Sequence, residues 1–184
     1  MKPLLENFLS NYRKKITISH LKVGNLCDVG CGCDMNKGLL SWGVNNINYT
    51  GVDMEIEQPI NEPHLKLIKH DIDKGSLPLK DSSYDNVTLL AVIEHVNNPE
   101  KLVANCKRIL KEDGRIIITV PSKKAKKLLI TLGKMNFIDK GLLAQHRRYY
   151  TKDSLRELLE NIGFNDIKIT PFQFGFNILG IARK

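Results

Sequence analysis

The sequence predicts an α/β fold, a mostly parallel sheet doubly wound by helices on both faces. Three observations carry that expectation. Short apolar runs alternate with segments whose apolar residues recur every three or four positions, the pattern of strands joined by crossover helices. Three of the runs end on an acid: Asp28, Asp53 and Asp71. The first run, Leu26-Cys27-Asp28-Val29, passes at once into Gly30-Cys31-Gly32, a turn where the backbone comes close to something a β-carbon would exclude. In open parallel sheets a ligand sits beyond the carboxyl ends of the strands, where the strand order reverses.

The elements follow in order. Residues 3–18 carry Leu4, Leu5, Phe8, Leu9 and Tyr12 at helical spacing, with Pro3 in the first turn. After the glycine turn, 35–42 suit a short helix with Leu39, Leu40 and Trp42 on its apolar side. Strands are expected at 47–53 and 65–70, and the prolines Pro59 and Pro63 make the connection between them irregular. Residues 85–92 form a nearly continuous apolar run, as for a strand buried on both faces. Asn98-Pro99-Glu100 starts a helix with an N-cap, a proline and an acid in the first turn. That helix carries Leu102, Val103, Cys106, Ile109 and Leu110 on one face and is expected to stop at Asp113-Gly114. A buried strand at 115–120 closes on Pro121. Thr151 caps a last helix bearing Leu155, Leu158, Leu159 and Ile162, which Gly163 terminates. Two strands, about 164–170 and 174–182, finish the chain as an antiparallel pair turning at 171–173.

The 184 residues, 42% hydrophobic, suffice for one domain with a sizeable core. We expect a single domain over 1–184, with an N-terminal helix in 1–20 and a basic, lid-like insertion at 122–150. No apolar run reaches the roughly 18 residues of a membrane span. The first ten residues lack the features of a secretory leader, so the expected location is the cytoplasm. Of the four cysteines, Cys27, Cys31 and Cys33 crowd the glycine turn. Their spacing matches no zinc or cluster pattern, and small buried fillers in a reducing compartment are expected, with no metal. The net charge of +8 is local. Residues 122–152 hold nine of the 28 lysines and arginines but one acid, Asp139, and the rest balances at 19 against 19.

The glycine turn calls for a nucleotide. A dinucleotide site would have a third glycine where Met35 stands, and Asp34 beside the turn would repel a pyrophosphate. No Gly-Lys-Ser/Thr of a phosphate-binding loop occurs. A nucleoside with a cationic or zwitterionic tail and no phosphate fits better, and S-adenosylmethionine answers that description. Its ribose diol offers donors to Asp53, its adenine amino group to Asp71, and its carboxylate suits amides at the turn.

The chain resembles the class I S-adenosylmethionine-dependent methyltransferases of the small-molecule "type 11" kind, over about residues 25–184. The motifs are Asp28-Val29-Gly30-Cys31-Gly32, Gly51-Val52-Asp53, His70-Asp71-Ile72, Ser83-Tyr84-Asp85 and Ile93-Glu94-His95-Val96. Ile109 to Arg115, His146 to Thr151 and Leu159 to Phe164 add to them. The resemblance implies a Rossmann-like sheet of seven strands with a reversed final strand. It implies that Asp28, Gly30, Cys31 and Gly32 cradle the methionine part, and that Asp53, with Met54 beside it, binds the ribose. Asp71 and Ile72 would flank adenine, and Leu90 and Ala91 would lie along the methionine tail. Cys33 departs from the family, many of whose members carry a third glycine there.

The expected reaction is direct displacement on the sulfonium methyl by a small organic acceptor, with His95 and His146 as the candidate catalytic groups. A lone histidine is more often structural, and Asp28 could merely cap its turn. Two other readings are an RNA or protein methyltransferase using the basic segment, and a non-catalytic cofactor-binding scaffold. The first lacks an Asn/Asp-Pro-Pro-Tyr/Phe motif, and the second has no need of three strand-end acids.

Overall fold

The computed structural model describes residues 4–33, 39, 47–126 and 147–184. Its elements are α1 (Leu4–Ile18), β1 (Gly24–Val29), β2 (Ile47–Asp53), β3 (Ile60–Asn61), β4 (Leu65–Lys69) and β5 (Tyr84–Leu90), then α2 (Pro99–Ile109) and β6 (Leu110–Pro121). The chain ends with α3 (Lys152–Asn161), β7 (Asn165–Phe172) and β8 (Asn177–Arg183). The strands form one sheet in the order β3-β4-β2-β1-β5-β6-β8-β7. Strands β4, β2, β1, β5 and β6 run parallel, and β8 is antiparallel to both its neighbours. This is the expected doubly wound sheet with a reversed final strand. The one strand beyond seven is β3, two residues paired antiparallel to β4 in the proline-broken connection.

Period-2 alternation divides the core between the faces. Cys27, Val29, Val52, Val87, Leu89, Ile116, Ile118 and Val120 pack with Leu102, Val103, Cys106 and Ile109 of α2 and Leu155, Leu158 and Leu159 of α3. On the other face Leu26, Tyr49 and Leu67 pack with Leu39 and Ile18, and Ile117, Leu179 and Phe172 pack with Ile16 and Leu21. The first helix and its tail therefore cover the side that α2 and α3 leave open. Asn86 locks this arrangement: its side chain accepts from Lys22 N at 2.8 Å and donates to Lys22 O at 2.8 Å.

Helix α2 has the cap its sequence promised, Asn98 Oδ1 accepting from Lys101 N. It ends four residues earlier than expected, because β6 begins at Leu110. Asp113, at φ 62°, and Gly114 form an irregularity inside β6, where the register against β5 slips between Tyr84 and Asn86. Thr151 and Ser154 close a reciprocal capping box on α3. The final turn falls at Gln173–Gly175, beyond the expected Pro171, which instead pairs with Ile178 from the edge strand. The expected short helix at 35–42 lies outside the described residues except for Leu39, which is buried. No described helix is long and apolar enough to cross a membrane.

Candidate active site at the carboxyl edge

Strand order reverses at β1, which has β2 on one side and β5 on the other, so the turn after β1 and the acid ending β2 converge with the loop after β5. Gly30 and Gly32 both adopt left-handed φ, 75° and 78°. A β-carbon on Gly30 would come within 2.5 Å of Val92 Cγ2, whereas one on Gly32 would meet nothing within 4 Å. The first glycine thus lets the turn pack on the post-β5 loop, and the second faces open space. Gly30→Ala is expected to cost about 1–3 kcal/mol through strain and overpacking. A melting temperature within error of the parent protein's would refute that packing role.

The turn's amides point inward, against the expectation that they are free for a ligand carboxylate. Gly30 N donates to Val52 O at 2.8 Å, Cys31 N to the same oxygen at 3.4 Å, and Gly32 N to Asp53 Oδ2 at 2.8 Å.

Asp53 projects from the end of β2 beside that open space. Its Oδ1 accepts from Glu55 N at 2.9 Å, so among the described residues each oxygen makes one protein hydrogen bond and keeps a lone pair for another donor. Met54 beside it is 59% exposed.

Asp28 is placed differently from the expectation. It is buried, with Oδ1 accepting from Thr88 Oγ1 at 2.6 Å and Oδ2 from Tyr49 OH at 3.0 Å. Register explains this, because Asp28 lies opposite Thr88 on β5. Asp28 ties three strands beneath the turn and does not line it. Burial pushes its carboxyl up to about 6 against the pull of the Thr88 and Tyr49 hydrogen bonds.

Past β4, Asp71 accepts from Asp73 N at 3.1 Å and pairs with Lys74 at 3.2 Å. The Asp73 amide, then the Lys74 side chain, hold its carboxyl below the usual range. Asp73 reaches the other way and grips Asn97 through N at 2.8 Å and Nδ2 at 3.0 Å. Asp73 therefore joins the post-β4 and post-β5 loops, leaving Asp71 as the ligand-facing candidate. Ile72 is half-buried against the core. Leu90 ends β5, and Ala91 takes φ 59° with its amide bonded to Thr119 O at 2.9 Å. Cys31 is half-buried, and burial raises its thiol. Cys27 and Cys106 are buried as expected, but Cys33 is exposed.

His95 follows β5 with its side chain 30% exposed and Nε2 4.0 Å from Glu94 Oε1. His146 lies outside the described residues. Sequence reasoning gave no role to Glu94. It is fully buried, neither carboxyl oxygen has a hydrogen-bond partner among the described residues, and burial pushes it up to about 7 despite the pull of its own backbone amide and Arg13. Its backbone oxygen accepts from Arg147 N at 2.9 Å. The signal for it was an acid between Ile93 and His95 at a buried strand's end, where an apolar residue would sit more comfortably.

The residues fit S-adenosylmethionine. The space over Gly32 is what a β-carbon would fill, Asp53 holds acceptor sites that no described residue uses, and the half-buried acid Asp71 suits amino donors and repels phosphate.

Solved structures share the architecture. An S-adenosylmethionine-dependent methyltransferase from Archaeoglobus fulgidus superposes with a TM-score of 0.71 at 19% identity, covering 97% of this chain and 94% of that one. A possible histamine N-methyltransferase from Thermotoga maritima gives 0.70 at 18%, covering 95% and 89%. Among curated sequences, the ubiquinone biosynthesis O-methyltransferase of Dechloromonas aromatica is 30% identical over 115 residues, 57% of this chain and 47% of that protein. The enzyme of the same name from Glaesserella parasuis is 31% identical over 120 residues, 58% and 49%. The chain spans about half the length of these curated relatives. The fold is that of S-adenosylmethionine-dependent methyltransferases, and since residues 4–169 match the methyltransferase-domain family model, the chain belongs to that family.

Proposed function

We propose that the chain is an S-adenosylmethionine-dependent methyltransferase acting on a small organic acceptor. The observation that carries this reading is the Asp53 carboxylate, tethered to Gly32 N across the open face of the turn with an acceptor site left on each oxygen. The cofactor, when bound, supplies a methyl group already activated on a sulfonium. The protein's part is then to align and to exclude water. Asp53 accepts from the ribose hydroxyls, Asp71 from the adenine amino group, and Ile72, Leu90 and Ala91 supply apolar walls. His95 is the best-placed group to take a proton from an acceptor that must lose one, with the Glu94 carboxyl beside its Nε2.

The acceptor is assigned to the segment 122–150 as a lid. Its described ends support this: Ser122 bridges to Tyr150, and Lys123 N donates to Tyr150 O at 2.9 Å. The segment thus leaves and rejoins the fold at one point on the carboxyl edge. We assign 1–184 to a single domain and place it in the cytoplasm, where three thiols crowded at one turn stay reduced. The names of the curated relatives favour a small acceptor, and no observation favours RNA, a protein acceptor or a non-catalytic scaffold.

Calorimetry tests the cofactor. S-adenosylhomocysteine is expected to bind the purified chain and NAD to give no heat. NAD binding without S-adenosylhomocysteine binding would overturn the assignment.

A further inference from the structure

We propose that the carboxyl rim, at the β7–β8 hairpin tip and the start of the basic segment, docks on an anionic lipid bilayer. Phe174 is 98% exposed at the apex of the hairpin. It sits at φ 59°, ψ 22°, between Gln173 at φ 49° and Gly175 at φ 82°. The left-handed region disfavours a bulky aromatic residue, and glycine or asparagine would fit it better. With its ring in solvent, Phe174 gains no packing inside the molecule to offset that strain. An outlier of this kind points to a role outside the chain's own fold.

The tip is firmly mounted. Asn177 Nδ2 donates to Gln173 Oε1, and Gln173 Nε2 donates to Leu9 O of α1 at 3.1 Å. Ser122 Oγ donates to Gly175 O at 2.7 Å and Ser122 N to Phe176 O at 2.9 Å. Phe172 stacks on Tyr12 of α1 with ring centroids 6.0 Å apart. Ser122 also fixes the charge, because the exposed Lys123, Lys124 and Lys126 follow it directly. Residues 171–181 of the hairpin bear no charge. An apolar ring therefore protrudes beside a cluster of cations, with no acid in the 171–181 end of the hairpin to oppose them.

Anionic headgroups attract juxtaposed lysines, and an aromatic ring enters the headgroup and acyl boundary. The exposure separates this from nucleic-acid binding, since single strands are held in grooves lined by stacking rings and this ring is 98% exposed at the tip of a hairpin. The inference does not rest on methyl transfer. A bilayer-bound rim would place the strand ends where a lipophilic acceptor is presented.

Sedimentation of the full chain with vesicles of phosphatidylcholine doped with phosphatidylglycerol tests it, with pure phosphatidylcholine vesicles and unrelated RNAs alongside. The chain is expected to bind the anionic vesicles, more weakly as salt rises. Neutralising Lys123, Lys124 and Lys126 to Gln should weaken binding about fivefold per lysine. Phe174→Gly should weaken it about tenfold while leaving the melting temperature unchanged or raised, which separates docking from folding. No partition onto anionic vesicles, equal partition of Phe174→Gly and the parent chain, or RNA binding without vesicle binding would each overturn the proposal.

Discussion

Glu94→Gln is expected to make the protein more stable and less active. A fully buried carboxyl whose oxygens have no hydrogen-bond partner among the described residues costs the fold most when it is ionised. Burial moves Glu94 from 4.5 to about 7. Because the folded-state value is the higher one, the folded chain holds more protons than the unfolded chain between those limits. Stability is therefore fully present below about pH 4.5, falls as pH rises through 7, and then levels off lower by about 3 kcal/mol. Asp28, raised from 3.8 to about 6, adds a loss of the same sign at lower pH. Glutamine keeps the shape and removes the charge. At pH 8 the variant should melt roughly 6–12 °C higher, and its stability should vary less with pH, retaining only the lower-pH decline from Asp28. Methyl transfer should fall about tenfold or more, since the carboxylate 4.0 Å from His95 Nε2 is gone, while affinity for S-adenosylhomocysteine stays the same. Parallel melting curves for the two proteins across pH 4–8 would show that Glu94 does not titrate in this range.

Tension between stability and function at one residue also marks where the sequence stopped being legible. Short-range signals were readable. The bend of the glycine turn, Asn98-Pro99-Glu100 and Thr151 each act through the few residues that follow them, and the structure has them in those places. What failed depends on contacts distant in sequence. Tyr49 and Thr88 occupy Asp28 from 21 and 60 residues away, and only the sheet register brings them there. The burial of Glu94 is a property of the folded loop after β5, which Arg147 meets from more than 50 residues on. Asp113-Gly114 reads as a helix stop and serves as a strand irregularity, because pairing with Tyr84 starts β6 at Leu110. The turn amides looked available for the same reason: Val52 and Asp53, which accept from them, belong to another strand.

Asp53 is where the legible and the folded readings coincide, and Asp53→Ala is expected to give the largest loss of cofactor affinity. Its carboxylate does two things at once. It accepts from Gly32 N at 2.8 Å and Glu55 N at 2.9 Å, which holds the turn against the end of β2. It also keeps an acceptor site on each oxygen for a vicinal diol. Alanine removes both functions, and no other described acid ends β2. Hydrogen bonds to a charged group contribute about 1.5–3 kcal/mol, so affinity for S-adenosylhomocysteine should drop roughly tenfold to over a hundredfold. Asp53→Asn separates the two functions. Its single carbonyl oxygen can still accept from one amide, so the turn is better held, but it cannot serve both amides and both hydroxyls. Its affinity should fall between those of the parent chain and the alanine variant. Both variants should keep the fold, because Asp53 lies at the strand end and outside the apolar clusters. A dissociation constant unchanged in a correctly folded Asp53→Ala protein would remove this carboxylate from the site and, with it, the observation on which the methyl-transfer reading rests.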